Sequence, residues 1–356
     1  MKKDFGTDKL SAVNAKFEAQ KIAFGPIMFQ AARLLRELGI LNELKEAKGG
    51  GLKAEIMADR LSLNPYAVRV LLDAGLSMGL VRMLNEQYHL TKTGFFVLSD
   101  ELTQVNFDFV HDVCYKGFFH LEESIRTGKP AGLKEFGNWN TIYPYLMQLP
   151  GNAKKSWFNF DHYYSDVMFP DVLPVIFREK VRTLLDIGGN TGKFAFQCVR
   201  YSPDVAVTIM DLPGQLEKAV ENIRVNNLEE RIQTFSLNLL DDTLSFPSGF
   251  DAIWMSQLLD CFSEEQILGI LRKAHRSMDR NAHLYIIELF WDRQQYEASS
   301  YCLNATSLYF TCMANGNSRM YHSEDLLNLI VQAGFTVVEE FNNMGISHTM
   351  VKCRKK

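Results

Sequence analysis

The sequence predicts an α/β protein in which a mostly helical N-terminal part precedes an open sheet of seven strands, the last of them antiparallel. After residue 182, short apolar runs alternate with amphipathic stretches, which is typical of a mostly parallel sheet with helices on both faces. The final two apolar runs lie too close together for a helical crossover, so they must pair as antiparallel strands. Before residue 100 the order is helix, helix, hairpin, which is the order of a winged helix.

The N-terminal elements follow from apolar spacing and capping residues. Residues 1–24 are expected to form one helix or arm, and helical spacing begins at Pro26 and ends at the glycines of 49–51. A helix over 52–60 comes next. A further helix starts at Asn64–Pro65, with the asparagine as N-cap and the proline in the first position. The stretch GLVRMLNEQYHLTKTGFFVL, residues 79–98, then alternates like a short hairpin.

These elements predict three domains. Residues 1–100 form a winged-helix dimerisation domain, and residues 101–180 form an aromatic-rich helical connector that contributes to a substrate pocket. Residues 181–356 form the sheet domain, which binds the cofactor and carries out the chemistry. Its strands are expected at residues 182–187, 205–210, 232–237, 250–256, 282–288, 335–341 and 347–353.

Composition and charge exclude several classes of protein. The chain is 47% apolar and 22% charged, which is ordinary for a globular protein. Residues 25–100 hold nine Lys or Arg and eight Asp or Glu, so the cationic excess of a DNA-binding face is missing and no nucleic-acid partner is expected. The six cysteines form no CxxC pair, which predicts no metal site and free thiols in a reducing cytoplasm. Neither a signal peptide nor a membrane-spanning apolar run is apparent, so we expect no membrane partner and a cytoplasmic location.

The stretch TLLDIGGNTGKFAF, Thr183 to Phe196, reads as the first strand, first turn and first helix of the sheet. Ligands of open α/β sheets bind at the carboxyl ends of the strands, next to this turn. Gly188 and Gly189 allow a tight turn and a close approach of the backbone to a ligand. Asp186 suits a positively charged ligand, and GGNTG lacks the GxGxxG spacing of a pyrophosphate site.

The ends of the next two strands add polar groups to the same edge. Asp211 ends the second strand, where an acidic side chain can accept hydrogen bonds from ribose hydroxyls. Asn238 and Leu239 follow the third strand and are placed to meet a base. A nucleoside with a cationic tail satisfies these positions together, and that describes S-adenosyl-L-methionine.

The chain resembles the class I S-adenosylmethionine-dependent O-methyltransferases that carry an N-terminal winged-helix dimerisation domain, such as the caffeate and hydroxyindole enzymes. The resemblance covers nearly the whole chain, through LLDIGGNTGKFA, IMDLPGQLEKA, FDAIWMSQLLDCFSEEQILGILRKA and NGNSRMYHSEDLLNLIVQAGF. It implies a Rossmann-like methyltransferase sheet, a homodimer with interlocked N-terminal modules, and O-methylation of a small, flat aromatic metabolite. The cofactor contacts that it implies are Gly188, Asp211, Leu212, Asn238, Leu239, Ser256 and Gln257.

The resemblance breaks where the family places its general base, a histidine in a Leu-His-Asp-Trp run. Here the run is LDCF, so Asp260 stands in place of the histidine and Cys261 in place of the aspartate. A carboxylate with an ordinary pKa of about 4 is a weak base for a phenol with a pKa of about 10, unless burial raises it. Three interpretations stay open. Asp260 is the base in a partly buried pocket, or another histidine has taken over, with His162 in FNFDHYY the leading substitute. Alternatively the acceptor needs no base, or the chemistry is not methyl transfer.

The groups expected to support the base differ as well. Glu288, at the end of the fifth strand, matches the family's strand-end glutamate that orients the base. The family's second glutamate is missing, because Ser318 stands there beside Arg319. We therefore predict catalytic roles for Asp260, His162 and Glu288, with supporting residues that differ from those of the family.

Overall fold

In the computed structural model, which describes residues 5–356, the chain divides into two units, residues 5–110 and 111–356. The first four residues, which belong to the predicted N-terminal arm, lie outside the described residues. None of the helices within 5–356 combines the length and the apolar character needed to cross a membrane.

The first unit contains six helices and a two-stranded hairpin among its described residues. They are α1 Ala12–Glu37, α2 Ile40–Glu46, α3 Ala54–Leu61, α4 Pro65–Ser77, β1 Val81–Leu84, β2 Gln87–Leu90, α5 Lys92–Ser99 and α6 Glu101–Phe109. Asn64 caps α4 as predicted, because its side chain accepts a hydrogen bond from the backbone N–H of Tyr66 at 2.9 Å. On the helical surface, Arg69 pairs with Glu55 and Arg60 with Glu43, so these cations have acidic partners within the unit.

Two details of this unit differ from the prediction. The expected division at Pro26 is wrong, because α1 runs through it from Ala12 to Glu37. Proline deprives the carbonyl of Ile22 of its helical partner, but Ile22 is 80% exposed and water can take that place. The end of the predicted hairpin is helical, because Thr91 accepts a hydrogen bond from the N–H of Gly94 and caps α5.

The second unit holds the seven-stranded sheet and the helices around it. Its longer elements are α7 Leu121–Thr127, α8 Gly151–Asp166, α9 Phe169–Ile176, β3 Thr183–Ile187, α10 Lys193–Tyr201, β4 Ala206–Asp211, α11 Pro213–Val225, β5 Ile232–Ser236, β6 Ala252–Ser256, α12 Glu264–Ser277, β7 His283–Glu288, α13 Glu297–Tyr309, α14 Ser323–Gln332, β8 Phe335–Met344 and β9 His348–Lys355.

The strand order is β5-β4-β3-β6-β7-β9-β8, and β9 pairs antiparallel with both of its neighbours. The predicted mostly parallel, seven-stranded sheet closed by an antiparallel last strand is confirmed. A short link joins β8 to β9, so the chain must reverse there, and β9 enters the sheet between β7 and β8.

Successive residues of the central strands face opposite sides of the sheet, and each side has its own core. One face, packed on α12 and α14, includes Leu185, Ile187, Met255 and Ile286. The other face, packed on α9, α10 and α11, includes Leu184, Ile209, Trp254 and Tyr285. Burial on both faces explains why these strands read as continuous apolar runs rather than alternating ones.

The register places the ends of four strands at one edge of the sheet. Ile187 lies opposite both Met210 and Met255, and Ser256 lies opposite Ile287. The chain therefore leaves β3, β4, β6 and β7 side by side. The polar residues at those four exits form the candidate site.

Candidate functional site

The turn after β3 requires glycine at two positions. Gly188 has a φ of 76°, and its N–H donates to the carbonyl of Met210 at 2.8 Å, which ties the turn to β4. A Cβ on Gly188 would lie 2.7 Å from a methyl carbon of Leu258, and one on Gly189 would lie 2.5 Å from Oδ2 of Asp186. Both glycines leave backbone exposed to the space above the sheet edge.

Asp186 carries an oxygen that the protein does not satisfy. The residue is 2% exposed, and Oδ2 has no hydrogen-bond partner among residues 5–356. Burial raises the pKa of Asp186 to about 8, and the nearby Asp211 carboxyl adds to the rise. A buried carboxyl without a partner is costly unless a ligand supplies a cation or a donor. The side chain therefore fits a positively charged ligand.

Asp211 joins two loops of the site. Oδ2 accepts the backbone N–H of Asn190 at 2.9 Å, and Oδ1 accepts the N–H of Leu212 at 2.7 Å. Burial raises the pKa of Asp211 to about 6, although these two hydrogen bonds oppose the rise. Each carboxylate oxygen has a further lone pair, so the group can still accept hydrogen bonds from a ligand.

The predicted base-contacting residues lie at the same edge but outside the cleft. Leu237 donates its N–H to the carbonyl of Asp211 at 3.0 Å, which places Asn238 and Leu239 beside the end of β4. The side chain of Asn238 accepts the N–H of Leu240 and is exposed. The carbonyl of Leu239 accepts the ammonium of Lys273, a buried side chain whose structural role the sequence did not reveal.

A cleft of about 90 Å³ lies above the glycine turn. Of the residues predicted from sequence, it is lined by Asp186, Gly188, Gly189, Ser256, Gln257 and His162. This volume is below the several hundred Å³ of most ligand sites, so a nucleoside must extend beyond the cleft or displace one of its walls. Gln257 adopts a φ of 45°, and its N–H donates to the carbonyl of Ile287 at 2.9 Å, while the Oγ of Ser256 is buried without a partner among the described residues.

Helix α8 forms one wall of this cleft with residues that the sequence analysis mostly missed. Asp161 accepts a hydrogen bond from the side chain of Asn190 at 3.3 Å, and Lys193 pairs with Asp166 at 2.6 Å. His162 lies on the same wall, with Nδ1 3.8 Å from Asp166. The acidic residues flanking His162 in FDHYYSD were the available sequence signal.

The turn that carries Asp260 is held by side chains bound to its backbone. Oε1 of Glu288 accepts the N–H of Leu258 at 3.1 Å and that of Leu259 at 2.8 Å. Burial raises the pKa of Glu288 well above its ordinary range, and the neighbouring Asp260 carboxyl adds to the rise. Burial therefore favours the neutral form of Glu288, and its Oε1 holds the turn as a hydrogen-bond acceptor.

Two further side chains hold the other end of this turn. The amide of Asn315 donates to the carbonyl of Cys261 at 2.6 Å and to the hydroxyl of Ser318 at 2.8 Å. The hydroxyl of Tyr321 donates to the carbonyl of Phe262 at 2.6 Å. Sequence reasoning found only the missing glutamate at Ser318. The structure shows that polar neighbours in the same segment bind the turn instead.

Asp260 itself is 6% exposed, and the thiol of Cys261 lies 3.5 Å from its Oδ1. Burial raises the pKa of Asp260 to about 7, while the thiol opposes the rise and the charge of Asp161 adds to it. A carboxyl with this pKa is about half ionised at neutral pH, which is the range in which general bases work best. The structure thus supplies the burial that the first of the three interpretations required.

Replacing Asp186 with asparagine is expected to flatten the pH dependence of stability. The folded-state pKa of about 8 lies above the unfolded value of about 4, so the folded protein retains a proton that the unfolded chain releases. Stability of the unliganded wild type should therefore fall as pH rises through that window, by up to about 1.4 kcal/mol per pH unit. Urea unfolding across the window tests this, with Asp204→Asn on the surface as the control; equal slopes in wild type and Asp186→Asn would contradict it.

The strand order, the glycine turn and the acids at its edge define the class: an α/β methyltransferase that binds a nucleoside cofactor. Residues 118–336 match the family model described as O-methyltransferase domain, and residues 16–88 match the Dimerisation2-like domain. Because the first match spans more than half of the chain, the protein belongs to the O-methyltransferase family. It is an S-adenosylmethionine-dependent O-methyltransferase.

Known relatives span most of the chain. The L-tyrosine C(3)-methyltransferase of Streptomyces lavendulae is 24% identical, over 88% of this chain and 85% of its own length. The 3-hydroxy-5-methyl-1-naphthoate 3-O-methyltransferase of Streptomyces sahachiroi is 25% identical, over 68% of this chain and 69% of its own length. The crystal structure of the S-adenosylmethionine-dependent methyltransferase SibL in its apo form is 27% identical, with a TM-score of 0.73, and the match covers 95% of this chain and 98% of that one.

Proposed function

We propose that this enzyme methylates a hydroxyl group of a small, flat aromatic metabolite, with Asp260 as the general base. The relatives named for a tyrosine and for a hydroxynaphthoate support an aromatic acceptor. The observation that carries the proposal is the buried Asp260 on a turn fixed at both ends.

The chemistry needs a proton acceptor beside the attacking oxygen. When bound, S-adenosylmethionine supplies an electrophilic methyl group on a positive sulfur. The carboxylate of Asp260 would take the proton of the acceptor hydroxyl as that oxygen accepts the methyl group that the cofactor would supply. Glu288 positions Asp260 through the backbone of the turn, and the close-packed turn keeps the base in line with the acceptor.

The cofactor-binding site that we propose consists mainly of residues at the carboxyl ends of β3, β4, β6 and β7. Asp186 faces the cationic end of the cofactor, Gly188 and Gly189 allow close backbone approach, and Asp211 accepts from the ribose. The remaining contacts are Leu212, Asn238, Leu239, Ser256 and Gln257. Asn238 and Leu239 lie beyond the cleft, where the base of an extended cofactor would reach.

Asp211→Asn is expected to raise the Kd of S-adenosylmethionine by about tenfold, the effect of losing one charge-assisted hydrogen bond of about 1.4 kcal/mol. The amide oxygen of asparagine still accepts one backbone N–H, so the protein should fold. Isothermal titration calorimetry measures the change, and Asp204→Asn serves as the control for the lost charge. An unchanged Kd would remove Asp211 from the proposed cofactor-binding site.

Methylation at carbon is a second candidate, because the Streptomyces lavendulae relative is named for it. Deprotonation of a phenol raises the nucleophilicity of its ring carbons, so the same base would serve. Incubation with methyl-labelled cofactor and a panel of phenols, phenolic amino acids and hydroxynaphthoates tests both candidates. NMR of the labelled product distinguishes a methoxy group from a ring methyl group, and transfer to none of the panel would count against both.

We infer that the enzyme is a cytoplasmic homodimer. The match to the Dimerisation2-like domain supports self-association, as do large apolar side chains exposed along α1: Val13, Phe17, Ile22, Phe24 and Ile27. All six cysteines are unpaired, which is typical of a reducing compartment. Sedimentation equilibrium tests the assembly, and a monomer mass at micromolar concentration would contradict it.

A further inference from the structure

Helix α12 places the ammonium group of Lys273 in the protein interior, where the side chain is 3% exposed. Its Nζ donates to the carbonyl of Leu239 at 2.9 Å and to the carbonyl of Asp241 at 2.8 Å. The same nitrogen lies 3.0 Å from Oδ1 of Asp242. An ammonium group has three hydrogens to donate, so these three oxygens satisfy it completely and offset the cost of burying it.

The three acceptors belong to one loop, residues 238–245, which follows β5. The loop begins beside Asp211, because the N–H of Leu237 donates to the carbonyl of Asp211 at 3.0 Å. Leu237 and Phe246 flank the loop and are buried, but most residues between them are exposed and form neither helix nor strand. The loop therefore gains little from apolar burial, and its conformation depends on a small number of hydrogen bonds.

The hydrogen bonds inside the loop give it a tight turn but do not attach it to the rest of the protein. The N–H of Asp241 donates to the carbonyl of Asn238 at 3.0 Å, and the hydroxyl of Thr243 donates to the carboxylate of Asp241 at 2.6 Å. Lys273 supplies the attachment, because its bonds connect the middle of the loop to a helix that packs on the sheet. Leu239 adds an apolar contact with the same core.

The position of this loop matters for the cofactor-binding site that we propose. Asn238 and Leu239 lie where the base of the cofactor would reach, and Lys273 bonds the backbone of Leu239 directly. A ligand that requires one loop conformation binds more weakly when that conformation is populated for only part of the time. Loss of the attachment should therefore weaken binding even though Lys273 does not contact the ligand.

We propose that Lys273 is a positioning residue for the cofactor, because it holds residues 238–245 in the conformation that receives the adenine base. The proposal rests on the proposed cofactor-binding site and adds to it a residue that acts through the backbone of Leu239 and Asp241. S-adenosylmethionine and S-adenosylhomocysteine share the adenosine. The affinities for both molecules should therefore depend on Lys273 to the same degree.

Lys273→Met keeps an unbranched apolar side chain and removes the ammonium group. We expect it to raise the Kd of both molecules about tenfold, which corresponds to a loop that adopts the binding conformation about a tenth of the time. Isothermal titration calorimetry on the full-length protein measures both values. Lys352→Met is the matched control, because Lys352 is also buried but donates to Glu179, away from the loop. Urea unfolding should show that both variants lose stability, whereas only Lys273→Met should lose affinity.

Hydrogen exchange measured by mass spectrometry reports on the loop itself. In the wild type, saturating S-adenosylhomocysteine should slow the exchange of residues 238–245. In unliganded Lys273→Met these residues should exchange faster than in the wild type, and saturating ligand should restore the protection. Lys352→Met should exchange in this loop as the wild type does.

Four results would overturn the proposal. The first is a Lys273→Met protein with wild-type affinity for both molecules, and the second is one with weakened affinity but unchanged exchange in the loop. The third is an equal loss of affinity in Lys352→Met, which would make the effect a general consequence of losing a buried cation. The fourth is a wild type that binds S-adenosylhomocysteine without any change of exchange in residues 238–245, a measurement that needs no variant to fold. A wild type that binds neither molecule would instead refute the cofactor-binding site itself.

Discussion

Asp260→Asn is expected to lower kcat by about 10²- to 10⁴-fold, the usual contribution of a positioned general base. Asparagine nearly matches aspartate in shape but cannot accept the proton of the acceptor hydroxyl. The turn is held through its backbone by Glu288 and Asn315, so the variant should keep its fold and its affinity for S-adenosylmethionine. Single-turnover transfer of a labelled methyl group measures the chemical step directly.

The pH profile gives the same prediction an independent readout. The pKa of Asp260 is raised to about 7, and a base works only when it is deprotonated. The wild-type rate should therefore rise with pH and level off above about pH 8, and Asp260→Asn should lose this dependence.

His162 provides the matched comparison, because it is the other candidate base and lines the cleft. His162→Asn should reduce kcat much less than Asp260→Asn. A larger loss in the histidine variant would transfer the role of base to His162. Equal and small losses in both would favour an acceptor that needs no base.

Two substitutions of Glu288, by alanine and by glutamine, should differ strongly in their effects on stability and on kcat. Glu288→Ala leaves the buried N–H groups of Leu258 and Leu259 without an acceptor, at about 1–3 kcal/mol each. It also releases the turn that carries Asp260, and a displacement of about 1 Å at such a site lowers kcat by about 10²-fold. Glu288→Gln keeps the acceptor oxygen, and burial, which raises the pKa of Glu288 well above its ordinary range, favours the neutral form that glutamine resembles.

The glutamine variant should therefore retain kcat within about threefold and unfold at nearly the same urea concentration as the wild type. Urea unfolding and single-turnover rates on the same preparations separate stability from catalysis. If glutamine were as damaging as alanine, the negative charge of Glu288 would be essential, and a role as a hydrogen-bond acceptor alone would be wrong.

The edge of the sheet could be predicted because its signals are local. A strand, two glycines and a helix follow one another within fourteen residues from Thr183 to Phe196, and Asp211 ends the next strand. Parallel strands joined by right-handed crossovers must bring their carboxyl ends to one edge of the sheet. The order of the strands in the sequence was therefore sufficient to predict that these residues lie together. The prediction that the helix begins anew at Pro26 failed for the opposite reason. The surroundings of α1, and not the local sequence, decided whether the proline was tolerated inside the helix.

Glu288 was predicted beside Asp260 through the family resemblance, but the other polar contacts around this site could not be predicted, because they come from distant parts of the chain. Asn315 reaches back to Cys261, and Asp161 meets Asn190, across separations that no periodicity connects. The ionisation of Asp260 was equally beyond the sequence, since its pKa depends on burial by neighbours from several elements.

By itself, the sequence determined the strand and helix order, the glycine turn and the acids at the strand ends, because these depend on backbone conformation and on the alternation of apolar residues. Only the tertiary structure decided that Glu288 binds the backbone of the turn that carries Asp260, that Asp260 is buried and that Asp161 bonds to Asn190. Those properties depend on desolvation and on distances between side chains, which arise only when separate segments pack together.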